Sequence, residues 1–218
     1  MNDVLHVAGS SGRGSPVELL VMFFGLGLVP LLAVSVTSFT RIVVVLGLLR
    51  SALGSSALPP NAVIIALSLL LSGAVMSPTI AAIDHAAVQP YLAHRASTAQ
   101  ALERGTEPLR SFMVRQTRAS DVAAFARMAR VRIAGTAEAP FRIVAPAFMI
   151  SELRTAFAMG FALALPFAVI DVVVAAVMMS LGMFMVSPAS IALPLKLLLF
   201  VVADGWTLVC GSLVASFR

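Results

Sequence analysis

Three stretches of this chain, Leu19 to Thr40, Ala62 to Ile83 and Val172 to Leu195, contain no Asp, Glu, Lys or Arg. A helix crosses a bilayer core with about 20 apolar residues, and each stretch is that long. They belong to two apolar blocks, residues 17–83 and 141–218, on either side of an arginine-rich middle, residues 84–140. With 60% hydrophobic and 11% charged residues, the composition excludes an ordinary soluble domain. The expected fold is an all-α membrane protein with four long apolar segments, arranged as two kinked helical hairpins around a small helical polar subdomain.

Residues 1–16 read as a flexible leader: Gly9 to Ser15 is Gly/Ser-rich, and Pro16 stands near the first helical position of the next segment. Met1 to His6 lacks the basic start of a secretory signal. In the first block, Pro30 is expected to kink the helix that begins near Val17. Thr37-Ser38-Phe39-Thr40-Arg41-Ile42 then puts hydroxyls and a full charge into apolar sequence, where Arg41 has to find a partner or water. Gly54 to Asn61, with Pro59 and Pro60, forms the hairpin turn, and Pro60-Asn61 starts the next helix.

The middle segment carries eight arginines and five acids. Ser97 and Gln100 make a capping box for a short helix that stops at Gly105, and Thr106 caps the next. Leu109, Phe112, Met113 and Gln116 share one stripe of that helix, and Ser120 opens a third helix with Val122, Phe125 and Ala129 inward. The arginines read either as a solvated surface or as a ring of inter-subunit ion pairs.

The second block holds Glu152, Arg154, Asp171, Lys196 and Asp204 among apolar residues and turns near Leu181 to Ser190, through Ser187-Pro188. Pro146, Pro166 and Pro194 are expected to break its helices, and Ser151-Glu152-Leu153-Arg154-Thr155 to interrupt a spanning segment. Ionisable groups at bilayer depth must be paired or face water, which singles out Arg41, Glu152, Arg154, Asp171, Lys196 and Asp204. Asp171 lies 17 residues before Pro188 and Lys196 only 8 after it. Across a straight hairpin they differ in depth by roughly 14 Å, so the expected Asp171–Lys196 bridge joins two subunits. Met183, Phe184 and Met185 form a soft cluster at the turn, suited either to a gate or to ordinary tip packing.

Net charge +5 points here to lipid head groups or partner chains rather than nucleic acid. Cys210 is the only cysteine, so no internal disulfide forms, and His6, His85 and His94 stand too far apart for a zinc site. No nucleophile–base set and no phosphate loop occurs, so neither catalysis nor a cofactor is expected.

Several segments in order resemble the FliP/SctR family of type III secretion export gates. They are Thr37 to Ile42 with Leu48-Leu49-Arg50-Ser51-Ala52-Leu53-Gly54, Pro59-Pro60-Asn61 and Met76-Ser77-Pro78. Then come Pro108-Leu109-Arg110, Arg115-Gln116-Thr117-Arg118, Ser151 to Phe157, Leu193-Pro194-Leu195-Lys196, and Asp204-Gly205-Trp206. Phe39-Thr40-Arg41 and Arg115 to Arg118 look more like the flagellar branch than the injectisome one. The resemblance implies a homo-pentamer that joins FliQ-like and FliR-like subunits in a conical gate of the bacterial inner membrane, within the basal body. FlhB-like and FlhA-like export proteins, unfolded substrates and membrane lipid are the other implied partners. It also implies a methionine-rich constriction at Met183, Phe184 and Met185, where this chain has Phe at the middle position. It places the middle segment in the periplasm, against the usual cytoplasmic bias of arginine-rich loops. Two other readings stand beside it. One is a small multi-pass ion-coupled transporter subunit using Arg41, Asp171 and Asp204; the other is a structural membrane anchor.

Overall fold

The structure is a computed structural model that describes residue 27, residues 34–55 and residues 59–217. The leader, the start of the helix near Val17 and the Pro30 kink lie outside these residues. Every element among the described residues from Phe39 onward is helical.

Helix α1, Phe39–Ala52, contains three consecutive valines whose branched side chains disfavour a helix on intrinsic grounds. Packing overrides that preference. Ile42, Val45, Leu46, Leu49 and Leu53 fall on one stripe and are buried against Ala156, Phe167, Phe200, Val209 and Leu213 of the second block. Helix α2, Asn61–Leu92, begins directly after Pro60 and runs through Pro78. It does not end at Ile83: a π-helical turn, Asp84–Val88, carries it onward, braced by Gln89 Nε2 donating to Asp84 Oδ2 at 2.7 Å. The widened turn comes just before Pro90, which has no N–H for the next α-helical bond. At the α1–α2 turn, Arg50 Nη1 donates to Asn61 Oδ1.

Helix α3, Thr98–Gln116, opens with the expected reciprocal cap, in which Gln100 N–H reaches Ser97 Oγ at 3.3 Å and Ser97 N–H reaches Gln100 Oε1 at 3.1 Å. Gly105 does not stop it. A Cβ there would sit 3.3 Å from the Cβ of Ala87, so this glycine lets α3 lie close on the π turn of α2. Helix α4, Ala119–Met128, follows with Val122 and Ala126 inward and Ala129 exposed. Phe112, Met113, Val122 and Ala126 share one apolar cluster with Met76 of α2 and with Ile143, Val144, Ala147 and Phe148 of α5. The polar segment is thereby anchored to both apolar blocks.

Helix α5, Phe141–Ser180, is 40 residues long and continues through Pro146 and Pro166. The expected breaks do not occur there, nor at Pro194 inside α6, Pro188–Val202. A proline removes one backbone bond, and the neighbouring turns and packed helices hold the rest. The chain breaks instead between α6 and α7, Gly205–Ala215, with a bend of 65°. Asp204 takes a left-handed conformation at φ 50°, and a Cβ on Gly205 would lie 2.2 Å from the Phe200 ring. Any side chain at position 205 would collide with that ring.

Of the four expected spanning segments, the first lies largely outside the described residues. Among the described residues two helices, Asn61–Leu92 and Phe141–Ser180, are long and apolar enough to cross a membrane. The bent α6–α7 pair is a third if taken as one span.

Arg41 meets Glu152 and Leu48 meets Gly160, so α1 and α5 run parallel in close contact. A Cβ at Gly160 would fall 2.3 Å from Leu48 Cδ1 and 2.9 Å from its Cβ. Gly160→Ala should therefore lower stability by about 1–3 kcal/mol, read from thermal unfolding in detergent by circular dichroism. Gly73→Ala, in open space on α2, should leave it unchanged or raise it by up to about 1 kcal/mol.

Candidate functional site

Arg41 is almost sealed from solvent, its side chain 4% exposed, and Glu152 opposite it is fully buried. Arg41 Nε donates to Glu152 Oε2 at 2.9 Å, and Nη2 donates to Oε1. This two-pronged pairing matches the planar guanidinium to the carboxylate. The remaining donors are used as well. Arg41 Nη1 reaches the Ser216 carbonyl at 3.0 Å and its hydroxyl at 2.9 Å, Nη2 reaches Gln116 Oε1 at 3.4 Å, and the Phe217 ring lies 3.8 Å beneath the guanidinium carbon. One residue thus ties α1, α3, α5 and the chain's C-terminal end together.

The polar run Ser151 to Thr155 does not interrupt α5, because each polar side chain finds a lateral partner. Ser151 Oγ accepts from the Arg118 backbone N–H at 3.1 Å, Arg154 Nη2 pairs with Asp121 Oδ1 at 3.3 Å, and Thr155 Oγ1 accepts from Arg118 Nη2 at 3.4 Å. Glu152 takes Arg41. The run is a docking strip for the α3–α4 junction. Sequence reasoning singled out Arg41, Glu152 and Arg154 without matching them; Gln116, Ser216, Phe217 and Asp121 went unnoticed as partners because they lie 33 to 176 residues away.

Asp171 and Lys196 meet within one chain. Lys196 Nζ donates to Asp171 Oδ2 at 2.6 Å and to the Ala52 carbonyl at 3.1 Å. This corrects the expectation of a bridge between subunits, and the error has a geometric cause. Helix α5 ends at Ser180 and α6 starts at Pro188, so residues 181–187 form the turn and add no helical rise. Asp171 is nine residues from one helix end and Lys196 eight from the other, which puts both at about 12–14 Å from the tip.

At that tip Gly182, φ 73°, closes α5 with paired bonds, Gly182 N–H to Met179 O at 3.1 Å and Met183 N–H to Met178 O at 3.0 Å. This is the Schellman arrangement that glycine favours. Beyond it Met183, Phe184 and Met185 stand outward, exposed by 40%, 78% and 100%. Ser187 then leads into α6 at Pro188. Asp204 is exposed at the α6–α7 elbow and takes no part in the Arg41 network. The structure gathers the site residues into three places: the Arg41–Glu152–Arg154 strip, the Asp171–Lys196 bridge and the methionine tip.

Removing Arg41 leaves a buried carboxylate without a partner. Arg41→Ala should destabilise the chain by about 3–5 kcal/mol, while Arg41→Leu with Glu152→Leu should recover most of that loss in detergent unfolding. For Asp171 and Lys196, a double-mutant cycle on dispersed single chains should give a coupling of about 0.5–3 kcal/mol. No coupling without assembly would mean that the bridge does not operate inside the chain.

The sequence profile of the FliP family matches residues 22–213. The flagellar biosynthetic protein FliP of Pectobacterium carotovorum subsp. carotovorum is 49% identical over 202 residues, covering 92% of this chain and 78% of its own length. That of Aquifex aeolicus is 44% identical over 96% of this chain and 89% of its own length. That of Bacillus subtilis is 40% identical with full coverage of both chains. A profile match over most of its length, with relatives 40% and 49% identical over nine-tenths or more of it, means that this chain belongs to the FliP family.

Proposed function

We propose that this chain is a core, channel-forming subunit of the type III protein export gate of the bacterial inner membrane, passing unfolded flagellar substrates. Its relatives are flagellar biosynthetic proteins, which favours this reading over an ion-coupled transporter. The observation that carries the channel role is the methionine tip. Three consecutive large apolar side chains are held outward by a rigid glycine-closed helix end, with Met185 wholly exposed. Such a surface needs cover from other chains.

In this reading copies of the chain form a homo-pentamer, and Met183, Phe184 and Met185 from each copy meet around the conduit. Flexible thioether side chains yield to a passing polypeptide and close behind it. FliQ-like and FliR-like subunits complete the gate, FlhB-like and FlhA-like proteins lie beside it, and the assembly stands in the basal body. Residues 84–140 are the polar helical subdomain and face the periplasm. The Asp171–Lys196 bridge stiffens each hairpin behind its tip.

A cysteine at Met185 should cross-link to an export substrate stalled in transit, and native mass spectrometry should show a five-fold ring. A stable single copy, or a stalled substrate that never reaches position 185, would overturn the proposal. Replacing Met183, Phe184 and Met185 together by serine should leave assembly intact and raise ion leakage in a membrane conductance assay.

A further inference from the structure

Among the described residues Arg41, Arg50, Arg110, Arg115, Arg118, Arg154 and Lys196 each have a side-chain partner. Of the exposed arginines without one, Arg95 and Arg104 stand apart, and Arg127, Arg130, Arg132 and Arg142 fall close together in the chain. All four are exposed, and among the described residues none is in an ion pair. They fall between residues 127 and 142, where Glu138 is the only acid. Val131 and Ile133 pack on the apolar cluster on either side of Arg132, which turns outward. Met128, 74% exposed, and Phe141 add bare apolar surface to the same segment.

Arg130 also occupies an awkward place. It follows α4 in the left-handed region at φ 55°, with its N–H bonded to Arg127 O and the Val131 N–H to Ala126 O. Glycine is the ordinary residue there, and an arginine is strained. A strained residue that a simpler one would relieve points to use of its side chain.

The depth of the segment identifies what it meets. Met76 of α2 and Phe148 of α5 share one cluster, and seven residues further along each helix toward the same end lie Ile83 and Phe141. Ile83 ends the uncharged run of α2. Arg142, next to Phe141, therefore stands level with the edge of the hydrocarbon, where lipid phosphates are, and Arg132 lies between two residues that pack on the same apolar cluster, with Phe141 at the height usual for an interfacial anchor.

We infer that Arg127, Arg130, Arg132 and Arg142 form a binding surface for anionic phospholipid head groups, with Met128 and Phe141 seated among the upper acyl segments. The partner is the membrane itself. An acidic protein would satisfy the charges, but would not account for the bare Phe141 at the first position of a spanning helix.

The full chain in detergent is titrated with phosphatidylglycerol and with phosphatidylcholine of identical acyl chains, and bound lipids are counted by native mass spectrometry. The wild type should prefer phosphatidylglycerol, with the preference fading as salt rises. Arg127→Gln/Arg130→Gln/Arg132→Gln/Arg142→Gln should abolish the preference, and Arg95→Gln/Arg104→Gln should not. Arg130→Gly separates binding from folding: it should weaken phosphatidylglycerol binding about fivefold while thermal stability holds or rises. Equal binding of the two lipids by the wild type, or an undiminished preference in the quadruple variant and in Arg130→Gly, would overturn the inference. So would cross-linking of the four positions in cell membranes to protein alone.

Discussion

A full positive charge on α1, at a depth where water is scarce, constrains how every other helix is placed. Arg41 has five donors, and an unpaired guanidinium among apolar side chains costs several kcal/mol. Glu152, the Ser216 carbonyl and hydroxyl, Gln116 and the Phe217 ring share the task of compensating it. These groups come from α3, α5 and the end of the chain, so satisfying one side chain requires the whole tertiary arrangement. A buried pair of this kind adds little net stability over an apolar substitute, but it penalises every misregistered packing of α1 on α5. Register, more than strength, is what it supplies.

The polar strip from Ser151 to Thr155 extends the same logic. Ser151, Arg154 and Thr155 bond to Arg118 and Asp121 at the α3–α4 junction and Glu152 to Arg41 of α1, so a helix of 40 residues stays continuous through a polar patch. Much of the outward surface of α5 beyond that strip is apolar, including Phe157, Phe161, Leu165, Val169 and Val173. This is the division of faces expected of a subunit that meets lipid and other chains on one side and its own core on the other.

What the sequence made legible was local. The Ser97–Gln100 cap, the Pro60-Asn61 helix start and the turn through Ser187-Pro188 depend on neighbours in the chain, and composition alone set the class. What it hid was lateral. Pro146, Pro166 and Ser151 to Thr155 look like helix breakers in one dimension, yet packing and hydrogen bonds from other elements keep α5 intact. Gly105 looks like a stop because a stop and a close helix contact both call for a missing side chain. Asp171 and Lys196 appeared mismatched in depth only while the turn was counted as helix. The elbow at Asp204-Gly205 carried no proline to announce it; its signal was a glycine after an aspartate, facing an aromatic ring whose position only the fold reveals.

The second hairpin carries its tip well past the end of α1. Lys196 bonds to the Ala52 carbonyl at the end of α1, and α6 begins eight residues beyond that level at Pro188, so the second hairpin reaches roughly 12 Å past the end of α1. With Asn61 to Ile83 as the hydrocarbon run, the outer loop stands at or past the rim of the bilayer. A collar built from several such loops would then work as a washer at a water-facing orifice rather than as a waist in the middle of the fat. Its closure would depend on the loops crowding one another, and lipid would have no part in it.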